Sequence, residues 1–184
     1  MKYKIGTRGS KLALKQTNDV INRLKQAYPE DVFEAVVITT IGDIEQKKSL
    51  EQIGGKGVFV QEIEEELRNG TIHAAVHSMK DMPAEAEEGL TFTKAWKRQD
   101  ARDVFVFREA KSLEELPKGA VIGTGSKRRA YQLLKIRPDL KIVGIRGNID
   151  TRLKKLHSVQ SDGTYMDGII LAAAGLKRLD MDEI

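Results

Sequence analysis

Ile72-His73-Ala74-Ala75-Val76-His77-Ser78-Met79-Lys80-Asp81-Met82-Pro83 reads as a buried strand over 72–77 that stops at a charged pair and a loop closed by proline. Three further junctions have the same form. Thr7-Arg8-Gly9-Ser10 follows a strand at 3–6, Gly123-Thr124-Gly125-Ser126-Lys127-Arg128-Arg129 follows 120–122, and Arg146-Gly147-Asn148 follows 141–145. Strands that each deliver a loop and then a helix define α/β architecture. In an open α/β sheet the loops at the carboxyl ends of the strands line the ligand crevice. Four such loops, all carrying Lys or Arg, predict a pocket for a small molecule with several negative charges.

Outward from these junctions, strand and helix patterns alternate. Ala13, Thr17, Val20, Leu24 and Ala27 recur at helical spacing after the first strand, with Ser10 placed as N-cap. Residues 32–40 read as a second strand. Phe59, Ile63 and Leu67 repeat every four residues on a helix that Asn69-Gly70 should end. Residues 90–96 and 103–107 look like strands joined by a polar segment, and a domain crossover is expected there. The expected domains are 1–98 and 99–184, with a ligand cleft between them. Beyond the crossover come strand-helix units at 120–135 and 141–157, then a strand at 168–172 and a helix from Ala173.

Composition narrows the chemistry. The chain has 184 residues, 40% hydrophobic and 32% charged, the balance of an ordinary globular protein. Its first residues lack the apolar core of a signal peptide, so a cytoplasmic location is expected. There is no cysteine, which excludes disulfides, thiolate metal sites and a thiol nucleophile within these residues. The net charge of +4 is uneven: between Ile122 and His157 ten Lys/Arg face two acids. Such a field attracts an anionic partner. For Lys135, Lys154 and Lys155 the pattern favours a solvated helix face, and for Arg128, Arg129 and Arg146 the pocket.

Thr124, Gly125 and Ser126 are expected to offer amides and hydroxyls to an anion at a helix start, and Arg128 and Arg129 to grip carboxylates in bidentate fashion. A helix cap at Ser126 and surface arginines are the bland alternative. No P-loop or dinucleotide fingerprint is complete. His73 and His77 lie on a strand without an acidic or thiolate partner, so no metal site is expected, and His73 reads as structural. Asp81 is the exception in a basic cleft, able to stabilise a cation that develops during reaction. Extended backbone would turn Lys80 and Asp81 to opposite faces.

These residues, in this order, resemble the porphobilinogen deaminase (hydroxymethylbilane synthase) family. The resemblance rests on 7–14, 54–59, 76–83, Arg102-Asp103, 123–129, 145–153 and 169–178, nearly end to end. It implies a transferase of tetrapyrrole and heme biosynthesis that deaminates porphobilinogen and joins four units into hydroxymethylbilane. Each pyrrole carries an acetate and a propionate. The resemblance places Asp81 at the pyrrole nitrogens, stabilising the cation left when ammonia departs. It places Arg8, Ser10, Lys56, Ser78, Lys80, Thr124, Ser126, Arg128, Arg129, Arg146 and Arg152 on cofactor or substrate. The implied fold is two lobes like the type-II periplasmic binding proteins, with a third domain.

Four positions depart from the family pattern: Gly125 for a second serine, Lys127 for an apolar residue, Gln61 for a lysine and Ile41 for a basic residue. The family attaches a dipyrromethane primer through a cysteine of the third domain, and that cysteine is absent here. The sequence therefore reads as a truncated form with an unfinished first domain, expected to bind ligand without elongating it. An unfinished sheet edge would invite self-association in a family usually monomeric. Partners expected are porphobilinogen and the growing oligopyrrole, with no membrane and no nucleic acid. The rival reading is a non-enzymatic anion-binding protein on the same two-lobed scaffold.

Overall fold

A computed structural model describes residues 1–45, 57–160, 163 and 165–181. The chain is α/β, with two sheets and six α-helices among the described residues. It divides into two compact units, Met1–Arg98 and Gln99–Ile184.

In the first unit, β1 (Lys2–Thr7) lies between β2 (Val32–Val37) and β3 (Ala74–Ala75), and both pairings are parallel. Helix α1 (Lys11–Ala27) returns the chain from β1 to β2, as parallel neighbours require. Ser10 caps it, its hydroxyl accepting from the Ala13 amide at 3.2 Å. Its buried positions are Thr17 and Ile21, so Ile21 replaces the expected Ala27 on the core face. Ile5, Ile21 and Phe33 form the centre of this core. A short helix α2 (Ile41–Ile44) follows β2, and α3 (Gln61–Arg68) ends at Asn69-Gly70 as expected.

In the second unit the strand order is β4 (Asp103–Phe107), β7 (Gly168–Ala172), β5 (Val121–Gly123), β6 (Lys141–Val143). β5, β6 and β7 are mutually parallel, and β4 runs antiparallel against β7. Helices α4 (Lys127–Ile136), α5 (Ile149–Leu156) and α6 (Ala173–Arg178) follow β5, β6 and β7. Along β7, Ile169 and Leu171 enter one apolar cluster with Leu156 and Leu176, while Ile170 enters another with Ile122 and Leu133. A strand covered on both faces must be apolar at every position, which explains the unbroken run Ile169-Ile170-Leu171.

Two strand expectations need correction. Residues 90–96 form no strand; Phe92 and Trp96 are exposed, and Arg23 lies 4.8 Å from the Trp96 ring centroid. Alternating apolar residues make a strand only where a neighbour completes the ladder, and this segment pairs with none among the described residues. The strand at 72–77 shrinks to Ala74–Ala75, and Met79–Asp81 closes into a 3₁₀ turn. In such a turn successive side chains fan about 120° apart, so the opposite-face argument for Lys80 and Asp81 does not apply. No helix among the described residues is long and apolar enough to cross a membrane.

Candidate functional site

In each unit the chemistry collects at the carboxyl edge of the parallel strands. In the first, β1 ends at Thr7 and is followed by Arg8 and Ser10, and β3 leads into Ser78, Lys80 and Asp81. Arg8 is anchored on two sides. Its guanidinium makes a bidentate pair with Asp43, with Nε donating to Oδ2 at 3.1 Å and Nη2 to Oδ1, and it lies 4.0 Å from the Phe59 ring centroid. Burial would raise the Asp43 carboxyl, but hydrogen bonds from Arg8 and Thr40 outweigh it and hold the group below the ordinary carboxylate range.

The loop carrying Lys80 and Asp81 is tied to α1. Gln16 Nε2 donates to Ser78 Oγ at 3.1 Å, and the Asp81 amide donates to the Ser78 carbonyl at 2.9 Å. Lys80 and Asp81 are both exposed. Beside them His77 buries an Nε2 that has no hydrogen-bond partner among the described residues. Burial depresses the His77 pKa, the Asp81 charge pulls it back up, and Arg8 lowers it further. Arg8, His77 and Asp81 therefore share one electrostatic neighbourhood. His73 has a structural job, its Nδ1 accepting from the Lys4 amide at 3.0 Å. Lys56 lies outside the described residues.

In the second unit Thr124 is buried, and two of the expected anion-binding amides are already used. Thr124 N donates to the Val143 carbonyl at 2.9 Å, and Ser126 N to Thr124 Oγ1 at 3.2 Å. The free-amide expectation fails at those two positions because the loop pairs with itself and with the end of β6. At Gly125 a Cβ would stand 2.9 Å from the Ile145 carbonyl oxygen, so the close approach of these two loops accounts for glycine in place of serine. Ser126 caps α4, accepting from Arg129 N at 3.4 Å. The hydroxyls of Ser10 and Ser126 accept in their caps, and neither O–H meets an acceptor among the described residues.

The arginines are held by groups the sequence reading did not single out. Asp103 Oδ2 accepts from Arg128 Nη2 at 2.8 Å, and Oδ1 accepts from Arg129 Nε at 3.0 Å. Burial would raise the Asp103 carboxyl, yet bonds from Arg128 and Arg129 hold it low. Arg152 Nε donates to the Gly147 carbonyl at 2.8 Å, and Lys155 Nζ to the Arg146 carbonyl at 3.1 Å, so Lys155 anchors this loop rather than facing solvent alone. The Arg152 pKa is lowered, first by burial and then by the charges of Arg129 and Arg146. Three guanidiniums thus crowd one carboxyl-edge region, an arrangement that an anion would relieve.

Asp43, Phe59, Gln16 and Asp103 are the residues that sequence reasoning missed. The signal for Asp103 was its place directly after Arg102 at a strand start, which alone says nothing of strand direction. No group of three or more His, Cys, Asp or Glu among the described residues is arranged to hold a metal ion.

Comparison with known proteins agrees with this chemistry. The family model described as "Porphobilinogen deaminase, dipyromethane cofactor binding domain" matches residues 3–184. The curated porphobilinogen deaminase of Lachnospira eligens is 60% identical over 179 residues, 97% of this chain and 60% of that protein. That of Clostridioides difficile is 54% identical over all 184 residues, again 60% of its length. That of Listeria welshimeri is 56% identical over 97% of this chain and 57% of its own. The chain spans about 60% of the length of these relatives.

Proposed function

Because this chain belongs to the porphobilinogen deaminase family, we propose that it carries the substrate- and cofactor-binding surfaces of a hydroxymethylbilane synthase. The activity is deamination of porphobilinogen and head-to-tail joining of four units into hydroxymethylbilane, a transferase step of tetrapyrrole and heme biosynthesis. The observation that carries the reading is the placement of Arg128 and Arg129 on α4 and of Arg146 and Arg152 before and on α5, all following the carboxyl ends of β5 and β6. Burial with the neighbouring Arg129 and Arg146 lowers the Arg152 pKa in keeping with it. Clustered like charges are costly in an empty protein and useful in one that receives a polycarboxylate.

The residues fit a dipyrromethane group by the chemistry of their donors. In the second unit Arg128, Arg129, Arg146 and Arg152, with Thr124 and Ser126, would pair with its carboxylates, and in the first unit Arg8, Ser10, Ser78 and Lys80 are donors of the same kind. Lys56 joins this set on the family resemblance. When bound, dipyrromethane supplies the pyrrole to which the first unit is joined. The 184 residues contain no cysteine to attach it. Asp81 faces the reacting pyrrole and stabilises positive charge there as ammonia departs. The finer fold reading belongs to the same proposal: two lobes of the type-II periplasmic binding kind, domain 1 over 1–98 and domain 2 over 99–184. The setting is cytoplasmic, and the partners are porphobilinogen and the growing oligopyrrole.

The test is Asp81→Asn in a protein of the relatives' full length, with hydroxymethylbilane formation followed by the absorbance of the porphyrin it yields on oxidation. Loss of a preorganised charge costs about 10²–10³ in turnover, while porphobilinogen binding is retained. Turnover within a few-fold of the parent would refute the assignment.

A further inference from the structure

We propose that Asp103 is the resident carboxylate of the Arg128–Arg129 site, and that it tunes the site against singly charged anions and toward ligands with several carboxylates. The proposal rests on the polycarboxylate reading above and adds the element that sets its selectivity. β4 is antiparallel to β7, so its first residue, Asp103, pairs with Ala172 at the edge where β5, β6 and β7 end. There Asp103 offers one oxygen to each guanidinium: Oδ2 to Arg128 Nη2 at 2.8 Å, and Oδ1 to Arg129 Nε at 3.0 Å and Nη2 at 2.8 Å. An incoming carboxylate would seek this same arrangement.

The two arginines are not equivalent. Arg129 is 12% exposed and spends a further bond, from Nη1, on the Ile170 carbonyl at 3.0 Å. Backbone therefore fixes it whatever happens to Asp103. Arg128 is 60% exposed, and its other bond goes to the Gln132 side chain one helical turn along. Arg128 is thus the exchangeable partner. A ligand with one carboxylate merely replaces Asp103 and gains little. A ligand with several also reaches Arg152, whose hydrogen bond goes to the Gly147 carbonyl and which meets no carboxylate among the described residues. Asp103 is a positioning and specificity residue, acting through the arginines.

The experiment compares this chain with Asp103→Asn by calorimetric titration at low salt, using acetate and propane-1,2,3-tricarboxylate as probes. Freeing two guanidiniums from a charged hydrogen-bond partner should tighten acetate about tenfold or more. The tricarboxylate must displace the same carboxylate and should tighten by a similar factor, so the variant should hold acetate at concentrations where the parent holds only the tricarboxylate. A merely structural aspartate predicts weaker binding of both probes, and that result, or unchanged acetate affinity, overturns the proposal. Should Asp103→Asn fail to fold, guanidinium NMR of the parent decides: tricarboxylate should move the Arg128 side-chain signals and leave those of Arg129 nearly in place, and equal shifts overturn it. A parent that binds neither probe sinks the polycarboxylate reading itself. A parent that binds the tricarboxylate, beside an Asn variant that binds both probes no more tightly than the parent, sinks only the role of Asp103.

Discussion

Replacing Gly42 with alanine sets two effects of opposite sign against each other. Gly42 lies in α2, where alanine is ordinarily better than glycine by up to about 1 kcal/mol. Against this, a Cβ there would overlap the Phe59 ring outright and stand 2.8 Å from the Val58 carbonyl oxygen. Overfilling of this kind costs about 1–3 kcal/mol. The ring cannot retreat without losing Arg8, which lies 4.0 Å from its centroid, and that contact is worth about 0.5–2 kcal/mol. Packing wins, and the expected outcome is a net loss of about 1–3 kcal/mol. The assay is urea unfolding followed by the single tryptophan, Trp96, which lies in the Met1–Arg98 unit. The midpoint should fall with little change in slope. Adding Phe59→Ala should remove the overlap, so the double variant should be less destabilised than the two single losses combined. A Gly42→Ala protein as stable as the parent, or more so, would refute the reasoning.

Ser126→Ala removes the α4 cap bond to Arg129 N and should lower the stability of the second unit by about 1 kcal/mol, measured by chemical denaturation. Arg152→Met relieves the crowding by Arg129 and Arg146 while losing the bond to Gly147, so its melting midpoint should stay close to the parent's, whereas tricarboxylate affinity should drop about tenfold or more. Asp43 and Asp103 have carboxyls held low in the folded state, so the unfolded chain binds more protons at these groups in acid. Their contribution is complete above about pH 4 and is lost as pH falls through the lowered values. Asp43→Asn should therefore flatten the acid limb of the urea midpoint for the first unit. His77 acts in the same sense at higher pH: buried and depressed, it withdraws stability as pH drops below about 6.5, and His77→Gln should abolish that step.

Local patterns account for most elements. Ser10, Ser126 and Asn148 sit where a helix needs a cap, and each accepts an amide of the first turn. The run at 168–172 carries its own two-sided burial, because every position must be apolar whichever face it meets. The loops bearing Arg8, Lys80 and Asp81, Thr124 and Arg146 were legible for the same reason: basic residues beside glycine and proline directly follow strand patterns. The ion-pair partners were not. Asp43 is 35 residues from Arg8, and Asp103 is 25 from Arg128. Hydrophobic period and turn chemistry are local along the chain, whereas those pairs depend on strand order and on β4 running opposite to β7. Residues alone determined that the loops following the strands would be cationic and that one of them would also carry an aspartate, Asp81. Tertiary structure decided which cations are already neutralised from within, because only folding brings a carboxylate from the far end of an antiparallel strand to the edge where the parallel strands stop.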